Sequence, residues 1–105
     1  MQSNDIKKGL LEAIQTIENA TTLFYQQKNK EGYQLLNETL NVLMQTVNLI
    51  FIYKSEGNQI DIEEQRLNTV LGKAMTAIEQ GDTILISDIL IFDLKNMFEK
   101  SIKSL

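Results

Sequence analysis

Apolar residues recur at alternating spacings of three and four along most of the chain, and three polar stretches interrupt them. The longest register lies in EGYQLLNETLNVLMQTVNLIFIY, residues 31–53. There Tyr33, Leu36, Leu40, Leu43, Val47 and Ile50 fall on one face of a helix. At 1.5 Å per residue that helix is roughly 35 Å long, so the elements covering it must be long as well. Before it, Ile6, Leu10, Ala13, Ile17, Ala20 and Phe24 follow at spacings of four and three, with Leu11, Ile14 and Leu23 widening the stripe. Ser3 or Asn4 is placed to cap this first helix, and Asp5 suits the positive end of its dipole. The polar run Gln26–Lys30 ends it, and so short a connection makes the two helices antiparallel neighbours.

Ser55-Glu56-Gly57-Asn58 reads as a loop. A third helix follows, with Leu67, Val70, Leu71, Ala74, Ala77 and Ile78 facing inward. Gly81 fits its C-terminal cap, and Asp82 or Thr83 the N-cap of the next element. ILISDILIF, residues 84–92, has strand-like propensity, but a lone strand among helices leaves its backbone unpaired. Leu94, Met97, Phe98 and Ile102 continue at helical spacing, so the segment is expected to be one helix. The pattern predicts an all-α fold: an antiparallel up-down four-helix bundle made of two helical hairpins. One domain spans residues 1–105, with helices at about 4–28, 31–54, 60–80 and 83–103. The two halves share a layout, each a helix, a polar turn and a second apolar helix.

Composition narrows the chemistry. The 43% hydrophobic content is ample for a core in 105 residues. With no Cys and no His, disulfides, thiol nucleophiles, imidazole bases and the usual zinc sites are excluded. With no Pro, no helix is forced to kink. The net charge of −4 and the dispersal of ten basic residues argue against nucleic-acid binding. MQSNDIKK does not lead into an apolar run, and the mostly apolar tracts are shorter than a membrane span. A cytoplasmic protein without a membrane span is expected.

Asp88 lies between Ile84-Leu85-Ile86 and Ile89-Leu90-Ile91, and is expected to be a structural polar position held by a hydrogen bond or ion pair. Asp93 sits five residues on, about 500° around a helix and so on a largely different face, which suits general acid–base work poorly. The enzyme alternative uses Asp88 with Glu79 or Asp82. Glu12, Glu18, Glu38, Glu63, Glu64 and Glu79 lack the histidines of a carboxylate di-metal bundle. Gly72-Lys73 lacks the rest of a phosphate loop, and Asp82 opens no calcium loop. No catalytic residue, cofactor or metal is expected.

Excess hydrophobicity points instead to association. From Val47 to Tyr53 only Asn48 is polar, so this helix end is apolar nearly all round. Val47, Ile50, Phe51 and Tyr53, with Phe98 and Ile102 of the last helix, form the candidate interaction surface. The expected function is a non-catalytic protein-interaction or adaptor module that binds a partner helix or pairs as a two-fold homodimer around Phe51.

LGKAMTAIEQGDTILISDILIFDLKNMFEKS, residues 71–101, resembles a segment of small uncharacterised proteins of Gram-positive bacteria. In those an alanine-rich helix, a Gly-Asp or Lys-Asp turn and a helix with a leucine-flanked aspartate occur in this order. Gly81, Asp82, Asp88 and Leu90 are the matching positions, and the resemblance implies a helical protein. The layout is also similar to that of flagellar export chaperones, which implies a helix-binding bundle, although their usual proline-containing motif is missing.

Overall fold

The computed structural model describes residues 1–105 as four helices with no strand. Helix α1 is Ser3–Tyr25, α2 is Asn29–Ser55 and α3 is Glu64–Gln80. Helix α4 covers residues 83–103: it begins α-helical at Thr83–Asp88, widens into a π-helix at Ile89–Lys95 and returns to α-helix at Asn96–Lys103. The 27-residue α2 is about 40 Å long, which matches the 42 Å long axis of the molecule.

Helix α2 lies within two residues of its predicted bounds of 31–54, and three other boundaries differ from those the sequence predicts. Helix α1 begins at Ser3, with Gln2 as N-cap rather than Ser3 or Asn4. The Gln2 N–H donates to Asp5 Oδ2 at 3.3 Å, so Asp5 does serve this end. The same helix stops at Tyr25 rather than near 28, because Gln27 turns left-handed with φ 61°. Helix α3 starts at Glu64 rather than near 60. Ile60 and Ile62 are both buried with exposed Asp61 between them, and two residues apart on a helix they would point about 200° apart. A non-helical strap buries both, with the Ile62 N–H donating to the Ile60 carbonyl at 2.9 Å. Its backbone is satisfied from the helix ends: Lys54 Nζ donates to the Ile62 carbonyl, and the Asp61 N–H donates to Ser104 Oγ at 3.0 Å.

The core is one cluster, in which α1 is sandwiched between α2 and α4 while α3 packs on the first two-thirds of α4. Along α4 the large side chains that are fully buried, Ile86, Leu90, Leu94 and Phe98, stand at intervals of four, with Ser87, Ile89 and Ser101 buried beside them. In an α-helix such a row drifts about 40° per step. The π-helical stretch holds more residues per turn and takes up that drift, so Ile86, Leu90, Leu94 and Phe98 all remain fully buried.

Candidate functional site

The side of α2 that seals against α1 carries its small residues. Gly32 lies against the Phe24 ring, Thr39 Oγ1 donates to the Thr16 carbonyl at 3.2 Å, and Thr46 Oγ1 reaches the Gly9 carbonyl at 3.4 Å. Both threonines also bond their own helix, to Leu35 and Val42 carbonyls at 2.8 Å, so their burial leaves no hydroxyl unpaired. Leu36, Leu43 and Ile50 fill the middle of the buried face. The larger row of Leu40, Val47 and Phe51 is thereby turned away from α1 and left half-buried.

That row forms one wall of a groove between α2 and α3, two helices that do not pack closely on each other. The groove has a volume of about 440 Å³. Buried Leu43, Ala74 and Leu90 make its floor, and Leu71 stands on the α3 side. Met44, 73% exposed, and Met75, 48% exposed, form its lips. Asn48 is the single polar residue lining it, and no charged residue does.

The six residues expected at an interaction surface are therefore divided. Val47 and Phe51 line the groove. Ile50 and Phe98 are fully buried and Tyr53 is 7% exposed, so these three belong to the core. Ile102 is half-buried against that core. The apolar surface runs from α2 across to α3 rather than down to the C-terminal end of α4. By spacing alone Leu71 and Ala74 are interior positions, while Met44 and Met75 stand outside the predicted stripes. The spacing of Leu40, Met44, Val47 and Phe51, four-three-four, was the signal for a second stripe on α2. By length and hydropathy α2 alone is long and apolar enough to cross a membrane, but its small-residue side is bound to α1.

The carboxylates do not converge. Asp88 accepts a hydrogen bond from the Tyr25 hydroxyl at 2.7 Å, joining α4 to α1. Asp82 caps α4 by accepting from the Leu85 N–H at 3.0 Å. Glu79 is exposed, and none of the three lines the groove. Nowhere do three carboxylates come together as metal ligands would. Partial burial pushes the Tyr25 phenol up to about 12, and the hydrogen bond and negative charge of Asp88 push the same way. A second depression, between α3 and α4, holds Lys73, Thr76 and Asp93 beside Leu85 and Ile89. No ion pair links its Lys73 and Asp93.

No curated protein and no solved structure is detectably similar to the chain. A family model does match it along nearly its full length, over residues 4–104, and the chain belongs to that family, described as a domain of unknown function (DUF8042).

Proposed function

We propose that this protein is a non-catalytic protein-interaction module, an up-down bundle of two helical hairpins whose α2–α3 groove receives a partner. The observation that carries this reading is the groove itself: ten residues line it, nine of them hydrophobic, with two methionines standing out into solvent. A bundle that needed only its own core would bring α2 and α3 together and bury Leu40, Val47 and Phe51 between them. Left apart, they offer an apolar surface of the kind that marks a binding site. Methionine lips suit this role, since an unbranched thioether side chain adapts to differently shaped partners. The enzyme alternative has less to build on. Asp88 is engaged by Tyr25, Asp82 by the start of α4, and neither faces the groove.

Affinity capture from the source cell with three baits tests the reading: wild type, Met44→Glu and Asp88→Asn. The expected result is a protein retained by wild type and Asp88→Asn but lost with Met44→Glu, because a charge at the lip must be desolvated for a partner to seat. Capture that is indifferent to Met44→Glu removes the groove from the interaction. Homodimer formation around Phe51 is the self-associating form of the same module, and its mark is a doubled mass in light scattering.

A further inference from the structure

The strap at residues 56–63 takes an indirect route from α2 to α3. A connection of its length is ample to set two helices side by side. Here it runs past the C-terminal end of α4 instead. The Asp61 N–H donates to Ser104 Oγ at 3.0 Å, and the Asp61 carboxylate lies 3.8 Å from Lys100 Nζ. Glu56 pairs with the Met1 ammonium at 2.9 Å, and Lys54 Nζ reaches from α2 to the Ile62 carbonyl. Ile60 and Ile62 are buried in the common core. No backbone–backbone hydrogen bond ties residues 58–62 to any helix. The Lys100–Asp61 pair is exposed and adds little, so the strap is held chiefly by two isoleucines and two side-chain hydrogen bonds.

That route decides where α3 stands. Helix α3 packs on Thr83–Lys95 but not closely on Asn96–Lys103, so its start is joined to the bundle chiefly through the strap. Across the groove Leu40, Val47 and Phe51 face Leu71 and Met75, with no charged residue in the lining. Two such walls in water are drawn together by the apolar surface they expose. Phe51 lies one turn from the end of α2, where the strap begins.

We propose that the strap is a latch that props the α2–α3 groove open. Docked on the end of α4, it holds the start of α3 away from α2. Released, it lets α3 swing about the left-handed Gly81 turn until Leu71 and Met75 meet the α2 wall and the groove is shut. This rests on the interaction-module reading above for the groove's purpose, and names the device that makes the groove receptive or closed. It also accounts for two apolar walls standing apart in a bundle whose own core would otherwise draw them together.

The chain has no cysteine, so Met44→Cys and Met75→Cys place two spin labels on the exposed groove lips and nowhere else. Pulsed dipolar spectroscopy on the full chain then measures the gap. With the strap unchanged, one distance is expected. Adding Ile62→Ala, or separately Ser104→Ala, is expected to bring in a second, shorter distance, with the larger share in Ile62→Ala. Ile14→Ala, the same truncation at a buried position in the middle of α1, is expected to keep the single distance. In Ser104→Ala the Asp61 amide should exchange with solvent roughly two- to tenfold faster, because its acceptor is gone. An unaltered or longer distance in the strap variants overturns the latch, as does the same second distance in Ile14→Ala. An Asp61 amide that exchanges no faster overturns it too, since Ser104 is then no tie. Should Ile62→Ala fail to fold, Ser104→Ala decides, because Ser104 is exposed and its loss leaves the core intact. No partner enters the measurement, which keeps the two readings separable. An unmoved gap leaves the interaction module standing, and capture indifferent to Met44→Glu leaves the latch standing.

Discussion

Gln27 and Gly81 close the two tight helix–helix turns with the same left-handed backbone, φ 61° and 67°. In each turn the following residue's N–H bonds five residues back, Lys28 to the Leu23 carbonyl at 2.9 Å and Asp82 to the Ala77 carbonyl at 3.1 Å. In each the left-handed residue's own N–H bonds three back, to Phe24 and to Ile78. This is a Schellman closure, whose left-handed position favours glycine. Only one turn has glycine there. An L side chain held left-handed costs about 1–2 kcal/mol, partly offset in glycine by its freer unfolded chain. Gln27→Gly is therefore expected to stabilise the protein by about 0.5–1 kcal/mol, and Gly81→Ala to destabilise it by about 1 kcal/mol. Urea midpoints at an unchanged m-value read both, and a neutral or destabilising Gln27→Gly removes the strain argument.

Gly32 and Gly72 predict opposite responses to one substitution. A Cβ on Gly32 would stand 2.7 Å from two atoms of the Phe24 ring, which is fully buried and held edge-on to Tyr33 at 5.1 Å between centroids. Gly32→Ala is expected to cost about 1–3 kcal/mol through overpacking. Gly72 lies on the exposed side of α3 with open space around it, so Gly72→Ala is expected to gain about 0.5–1 kcal/mol of helix propensity. Thermal melts of the two variants should move in opposite directions.

The Tyr25–Asp88 contact makes a pH signature. Folding raises the phenol from its ordinary 10.0 to about 12, so its contribution is fully present below about pH 10, where the unfolded phenol is still protonated. It is lost as pH rises through about 12. Tyr25 is nearly half exposed, so the effect on stability is screened and the titration is the better readout. Ultraviolet absorbance of tyrosinate, taken as the difference between wild type and Tyr25→Phe, should show one phenol ionising late. In Asp88→Asn that phenol should ionise earlier but still above its ordinary value, because burial remains when the charge is gone. An unshifted phenol in the wild type would dissolve the contact.

Leu36, Leu43 and Ile50 were legible as the centre of α2's buried face, but the face is rotated from the one hydrophobicity suggests. Thr39 and Thr46 look polar in a sequence, yet each hydroxyl is satisfied by the carbonyl four residues back and can be buried against α1. Tyr33, Leu40 and Val47 look like core and are half exposed. Size decides between the rows: small residues let α1 and α2 approach, so Leu49 sits only 3.1 Å from where a Cβ on Gly9 would stand. The four helices and the Gly81 turn follow from local periodicity and turn chemistry, which a sequence carries directly. The α3 side of the groove does not, because which helices stay apart depends on how four faces share one core. Tyr25 is 63 residues from Asp88, and nothing local pairs them.

The π-helical stretch of α4 yields the last prediction. Its residues 89–95 lie in the middle of the buried row Ile86, Leu90, Leu94 and Phe98, whose intervals of four an ordinary α-helix would not keep on one face. Phe92 lies inside the stretch and is 63% exposed, so it contributes little to the core. Deleting it shortens the Leu90–Leu94 interval from four to three. The buried row then reads four-three-four, which α-helical winding holds on one face without the wide turn. Deletion of Phe92 is therefore expected to leave a folded protein with the α1–α4 core intact. Deleting the exposed Met75 in the middle of α3 is the control. There the geometry is already α-helical, and one missing residue turns everything beyond it by about 100°, driving Ala77 and Ile78 off the core. Circular dichroism melts should show the Phe92 deletion melting well above the Met75 deletion. If the two lose stability equally, the π-helical stretch is not absorbing an extra residue.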